Sequence, residues 1–240
     1  MSTAIKMRAD TPKAESPGEL PPLENGDALD QPTFHARYEA MPEHFKAELI
    51  EGIVYVASPM KPPHGKSHYR FAHWLAGYED ETPGVEGFDN TTFILGSSSE
   101  PQPDLSFIVT EAYGGRVRVN ADGYFTGPPE LIAEVASSSE SIDLNAKRRD
   151  YERHGIQEYI VVATRQQRVY WFMRRGTAYQ PLEPGNDGVL RSEVFPGLWL
   201  DPAAFLRDDR ARVAAVLRDG LASSEHAAFV AALASKRLSS

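Results

Sequence analysis

Cysteine is absent from all 240 residues. Its absence excludes disulfides, thiolate zinc sites and thiol nucleophiles, and it fits a reducing compartment. Long apolar runs are absent too. No stretch approaches the roughly 20 apolar residues that cross a bilayer, and Met1 to Asp10 lacks the apolar core of a secretory leader. A soluble, cytoplasmic protein without membrane contact is the expectation. Positive charge is scarce as well. Lys and Arg number 25 against 34 Asp and Glu, for a formal −9. Nucleic-acid binders usually show a basic footprint, so tight, salt-resistant binding to DNA is not expected. The tail 1–30 supplies part of the excess, with three bases and six acids. Clustered carboxylates around a bound cation would supply more of it. Weak or transient contact with a polyanion remains compatible with this balance.

Hydrophobic residues make up 41% of the chain, enough for one substantial core. Residues 1–30 are rich in Pro, Gly, Ala and acids without a period, and read as a disordered tail. A folded domain over 31–206 and a peripheral helical extension over 207–240 complete the division. Within the domain, 47–50 and 53–57 read as two strands around a tight Glu51-Gly52 turn. Ser58 to Pro63 reads as a loop. Phe71, Trp74, Leu75 and Tyr78 share one face of a helix over 64–78. Strands are expected over 91–95, 105–109 and 131–135. A helix over 142–154, stopped by Gly155, leads to a hairpin of 158–163 and 168–174. A further strand over 177–182 and an extended 190–200 follow. Strands outnumber helices, and at least one helix joins two strands. The fold class is therefore α/β (α+β), a mixed β-sheet flanked by helices.

Two acids interrupt apolar strands. Asp104 stands at the head of Leu105–Val109. Glu134 lies inside Leu-Ile-Ala-Glu-Val, where a charge is expensive unless paired or bound to metal. On neighbouring strands two such carboxylates can share a cation. Mg²⁺ takes oxygen ligands and keeps several waters, so two or three carboxylates suffice.

Five stretches in order resemble one family: Glu48-Leu49-Ile50-Glu51-Gly52, Gln102-Pro103-Asp104-Leu105, Glu134-Val135-Ala136-Ser137, Asp143-Leu144-Asn145-Ala146-Lys147, and Tyr151 to Tyr159. Over roughly 34–206 the chain resembles the Uma-two restriction endonucleases of the PD-(D/E)XK nuclease superfamily, and the fold implied is restriction endonuclease-like. The resemblance implies Asp104 and Glu134 as direct ligands of Mg²⁺, with Mn²⁺ as a substitute. It implies the Val135 carbonyl as a third ligand and Glu48 as an additional upstream acid. The superfamily lysine two residues after the second acid is replaced here by Ala136. Lys147, on the following helix, is the matching position. The implied catalytic set is Asp104, Glu134, Lys147 and Glu48. His64 and Arg148 are the candidate substrate contacts, and DNA is the implied substrate. A homodimer would suit a duplex with two strands to cut.

Plainer readings stand beside these. Asp104 could mark only a turn, and Glu134 an exposed edge-strand position. Asp143 and Lys147, four apart, could form a surface ion pair worth about 0.3–0.5 kcal/mol. Glu48 could pair with Lys46 or Arg37. His64, His68 and His73 read as structural or solvated. Tyr170, Trp171 and Phe172 read as core on alternate sides of a strand. A nuclease fold kept for nucleic-acid or protein binding without turnover is the competing function. A hydrolase of small phosphoesters is a third.

Overall fold

The computed structural model describes residues 20–57 and 62–237. The first nineteen residues of the expected tail, and most of the expected 58–63 loop, lie outside the described residues. The rest of the tail is a correction. Leu23 is buried, and Gly26 and Leu29 donate backbone hydrogen bonds to Val54 and Gly52. Asp27 pairs with Arg37 at 2.7 Å. Order therefore starts before residue 31, because these backbone groups find partners on the first hairpin.

Helix α1 (Gln31–Glu39) starts at an Asp30 cap, whose side chain accepts from the Thr33 amide. Strands β1 (Ala47–Ile50) and β2 (Ile53–Val56) form the expected hairpin. Glu51 and Gly52 both have positive φ (51° and 78°), the geometry of a two-residue turn matched to strand twist. Helix α2 (Pro62–Glu79) follows. Next come β3 (Val85–Asp89), β4 (Phe93–Ile94), β5 (Leu105–Val109), β6 (Arg118–Val119), β7 (Phe125–Thr126) and β8 (Leu131–Ala136).

One continuous helix spans 140–154. It consists of α3 (Glu140–Ile142), a π-helical turn (Asp143–Lys147) and α4 (Arg148–His154). Gly155, at φ 79°, ends it as expected. Strands β9 (Glu158–Ala163), β10 (Arg168–Arg175) and β11 (Ala178–Pro181) come next. The short pair β12 (Leu190–Arg191) and β13 (Trp199–Leu200) leads to α5 (Pro202–Leu206), α6 (Arg210–Leu221) and α7 (Ser224–Lys236).

The main sheet runs β11-β10-β9-β8-β5-β3. β8 and β9 are parallel, joined by the 140–154 helix, and the other neighbours are antiparallel. This is the expected mixed sheet flanked by helices. β3 carries Glu86, Gly87 and Asp89 and shows no strand signal in sequence. It forms as an edge by pairing with β5. The strand expected over 91–95 shrinks to β4, which pairs with β7 outside the main sheet.

Each sheet face has its own core. Leu131, Ala133 and Val135 pack with Phe71, Trp74, Leu75 and Tyr78 of α2. Ile132 and Ala136 face the other way, with Tyr151, Ile156, Tyr159 and Phe172. Every residue of β8 is buried, as in a strand covered on both sides. Trp171 joins the first core and Phe172 the second, so the alternation expected in β10 holds. Leu217 of α6 and Leu233 of α7 belong to the α2 core. The C-terminal helices are thus integral rather than peripheral, since full burial of such a side chain stabilises by about 1.5–3 kcal/mol.

Candidate active site

The site lies where β5 and β8 part company. Leu105 pairs with Ala133, which sets Asp104 opposite Glu134 one step beyond the ladder. There side-chain contacts replace the backbone ladder. The Val135 amide donates to Asp104 Oδ2 at 2.7 Å, and the Asp104 amide approaches Glu134 Oε2 at 3.4 Å. A strand residue turns its N–H and C=O to the same edge. The Val135 carbonyl therefore also faces the gap beside Asp104.

Glu134 shares its sheet face with Ile132 and Ala136, under the 140–154 helix. Lys147 and Tyr151, four residues apart, project from that helix onto Glu134. Lys147 Nζ donates to Glu134 Oε1 at 2.9 Å, and the Tyr151 hydroxyl donates to the same oxygen at 3.0 Å. Lys147 also reaches Glu48 on β1, 2.7 Å from Oε2, and stands 3.7 Å from Asp143. Glu48 is fixed from its other side by the Gln102 amide at 2.8 Å. Glu48, Asp104, Glu134 and Lys147 are thus brought together from four separate stretches of chain.

The plainer readings resolve on contacts. Arg37 pairs with Asp27 instead of Glu48, and Lys46 lies near Asn90. Glu134 is buried on a central strand, not exposed on an edge. The Asp143–Lys147 pair is no surface pair, because their side chains are only 3% and 7% exposed. Burying ions costs several kcal/mol each unless their remaining bonds are satisfied. The π turn carries both residues, and such turns often mark functional sites.

Charge in this cluster is unbalanced. Three carboxylates, of Glu48, Glu134 and Asp143, lie within 4 Å of one ammonium, and Asp104 stands beside Glu134. Burial pushes the Glu134 carboxyl well above its usual range; Lys147 opposes this, and Asp104, Asp143 and Glu48 add to it. Burial likewise raises Asp143, to about 6, against the pull of Lys147. Burial works to neutralise Lys147, but Glu134, Glu48 and Asp143 together hold its ammonium well above the ordinary lysine range. Among the described residues, no three His, Asp or Glu side chains stand together at metal-ligand spacing. The Lys147 ammonium lies among the carboxylates instead.

His64 and His68, at the start of α2, approach Asp104 from the other layer. His64 Nε2 is 3.9 Å from Asp104 Oδ2 and is buried without a hydrogen-bond partner among the described residues. His68 Nε2 lies 3.2 Å from the Asp104 carbonyl oxygen and 3.2 Å from Asp89. His73 is exposed on the same helix. Arg148 does not join the carboxylates; its guanidinium lies over the Phe172 ring at 5.4 Å. The sequence alone assigns Tyr151 no role and reads His68 as structural or solvated, whereas His68 contacts the Asp104 carbonyl. Tyr151 sits one turn after Lys147, a spacing that could have placed it on the same face.

The family model of Uma2, described as "Putative restriction endonuclease", matches residues 32–203. No functionally curated protein matches the sequence. Among solved structures, the fold is similar to that of "a putative nuclease belonging to DUF820" from Anabaena variabilis, with a TM-score of 0.53 and 16% identity. That match covers 71% of this chain and 97% of the other.

Proposed function

Since the chain belongs to the Uma2 family of restriction endonuclease-like proteins and has a nuclease-like fold, we propose that it is a Mg²⁺-dependent endonuclease hydrolysing phosphodiester bonds of DNA. The observation carrying this reading is the convergence of Asp104 and Glu134 beside a buried ammonium, with more negative charge than Lys147 can balance.

The donor set fits a hard divalent cation in kind. It is all oxygen, it carries surplus charge, and it lies at the partly exposed end of a dry wall: Asp104 and Glu48 side chains are each 18% exposed, against 5% for Glu134. Asp104, Glu134 and the Val135 carbonyl would hold Mg²⁺, with Glu48 close by. Bound there, Mg²⁺ supplies a Lewis acid that neutralises phosphoryl oxygens and eases deprotonation of water.

The chain's own groups do the rest. Tyr151 and Lys147 fix the Glu134 carboxylate from the helix side. Lys147 stays cationic and offers N–H donors to a negatively charged transition state. His64 stands beside Asp104 at the open side, placed to meet substrate. No covalent intermediate is required. A cytoplasmic location and a two-fold dimer, one site per strand, go with this function.

The formal charge of −9 favours a second reading, a nuclease fold retained for binding without turnover. Incubation with supercoiled plasmid and single-stranded DNA in Mg²⁺, Mn²⁺ or EDTA separates the two. Cutting in either metal and none in EDTA is expected. Asp104→Asn and Glu134→Gln should each lower the rate at least about 100-fold, the equivalent of roughly 3 kcal/mol. Unchanged cutting by either folded variant removes the site assignment. No cutting by wild type in any metal leaves the binding module.

A further inference from the structure

Positive charge in this acidic chain is concentrated beside the site. Residues 148–175 hold seven arginines, no lysine and three acids, a formal +4 within a chain of −9. Two of those acids, Asp150 and Glu158, are fully buried. Arg149 and Arg153 share Glu51, and Arg175 pairs with Glu193. Arg148 and Arg168 have no carboxylate partner among the described residues.

Both instead lie on aromatic rings. Arg148 sits over Phe172 at 5.4 Å, and Arg168 over Tyr170 at 4.6 Å. The two rings lie nearly parallel, at 8° and 6.2 Å between centroids. A guanidinium laid on a ring keeps its N–H edge free for a phosphate. Tyr170 is a support rather than a base platform. Its ring stands between Arg168 and Phe172, and its hydroxyl donates to Gln166.

Register places this ladder relative to the carboxylates. Glu134 pairs with Val161 and Val161 with Tyr170, so Glu134 and Tyr170 share one cross-strand row on one face. Two strand spacings separate them, about 10 Å. Arg168 aligns with Ala163 and thus with Ala136, at the same end of the sheet as Glu134. Arg148 follows Lys147 directly on the helix.

We propose that the Arg148–Phe172–Tyr170–Arg168 ladder docks the phosphodiester backbone of duplex DNA and leads it to the carboxylate site. The proposal rests on the nuclease reading for its substrate class, while its test needs no cleavage. Each phosphate contact releases condensed counterions and adds about 0.9 to the slope of log affinity against log salt. Two arginines account for a slope of about 1.8, which over a fourfold rise in salt is about a tenfold difference in affinity.

Fluorescence anisotropy of a short labelled duplex, titrated in EDTA across a salt series, reads this slope. Arg148→Ala with Arg168→Ala should bind more weakly and flatten the slope by nearly two. Arg168→Ala alone, at an exposed position, should take about half of that. Arg175→Ala, paired with Glu193 elsewhere, should bind as wild type does. Equal binding by the ladder variants, an equal loss from Arg175→Ala, or no duplex binding by wild type would overturn the proposal. Wild type that binds through the ladder and never cuts would sink the nuclease reading alone. Cutting that ignores the ladder variants would sink the docking surface alone.

Discussion

Replacing Lys147 with methionine probes the charge logic of the site directly. Methionine keeps the length of the side chain and removes its charge. Glu134, Asp143 and Glu48 then face one another with only neutral donors, chiefly the Tyr151 hydroxyl. Removing one partner of a buried ion pair costs about 3–5 kcal/mol, because it strands the remaining charge. The cost must depend on pH. Burial already raises Glu134 and lifts Asp143 to about 6, and losing the ammonium raises both further. A carboxyl whose folded pKa exceeds its unfolded value stabilises fully below the unfolded pKa, and that contribution is lost as pH rises through the folded pKa. The variant is therefore expected to lose about 3–5 kcal/mol near pH 7.5 and much less near pH 4.5, where the buried acids take up protons. Wild type narrows the gap further at low pH, since its ammonium loses charged partners. Urea unfolding at both pH values, followed by far-ultraviolet circular dichroism, measures the two differences. Equal destabilisation at both pH values, or less than about 1 kcal/mol near neutrality, would refute the argument that Lys147 neutralises buried carboxylates.

Asp143→Asn should make the protein relatively more stable above pH 6 by about 1–3 kcal/mol, because it removes a carboxyl raised to about 6 from its usual 3.8. Thermal melts of both proteins from pH 4 to 8 should diverge as pH rises, and parallel curves would count against it. Tyr151→Phe removes the 3.0 Å donor to Glu134 and should cost about 1–3 kcal/mol with the fold intact, read by the urea midpoint. Truncation after residue 206 removes Leu217 and Leu233 from the α2 core. It should abolish a cooperative melt, whereas a sharp transition in the truncated chain would restore the expected domain boundary.

Period and burial pattern made much of the frame legible. The 3-4 spacing of Phe71, Trp74, Leu75 and Tyr78 marks α2, and the run Leu131–Ala136 marks a strand buried on both faces. Both signals are local and strong. β3 carries no local signal because an edge strand needs only one partner and can keep Glu86 and Asp89 in water. The C-terminal helices looked peripheral because their Ala- and Arg-rich surface masks a few deep contacts. Sequence cannot tell which leucine of an amphipathic helix meets a core.

The site divides along the same line. The sequence by itself determined the chemical inventory: carboxylates at 48, 104 and 134, a lysine at 147, and no thiol. It also determined that Glu134 sits in an apolar strand, where an unpaired charge would be costly. Only the tertiary structure decided the pairings. The β5–β8 register sets Asp104 against Glu134, and the π turn aims Lys147 inward while Arg148 lies over Phe172. Strand registry and helix rotation arise from packing between segments distant in sequence. A side chain's partner is therefore decided only when the layers close.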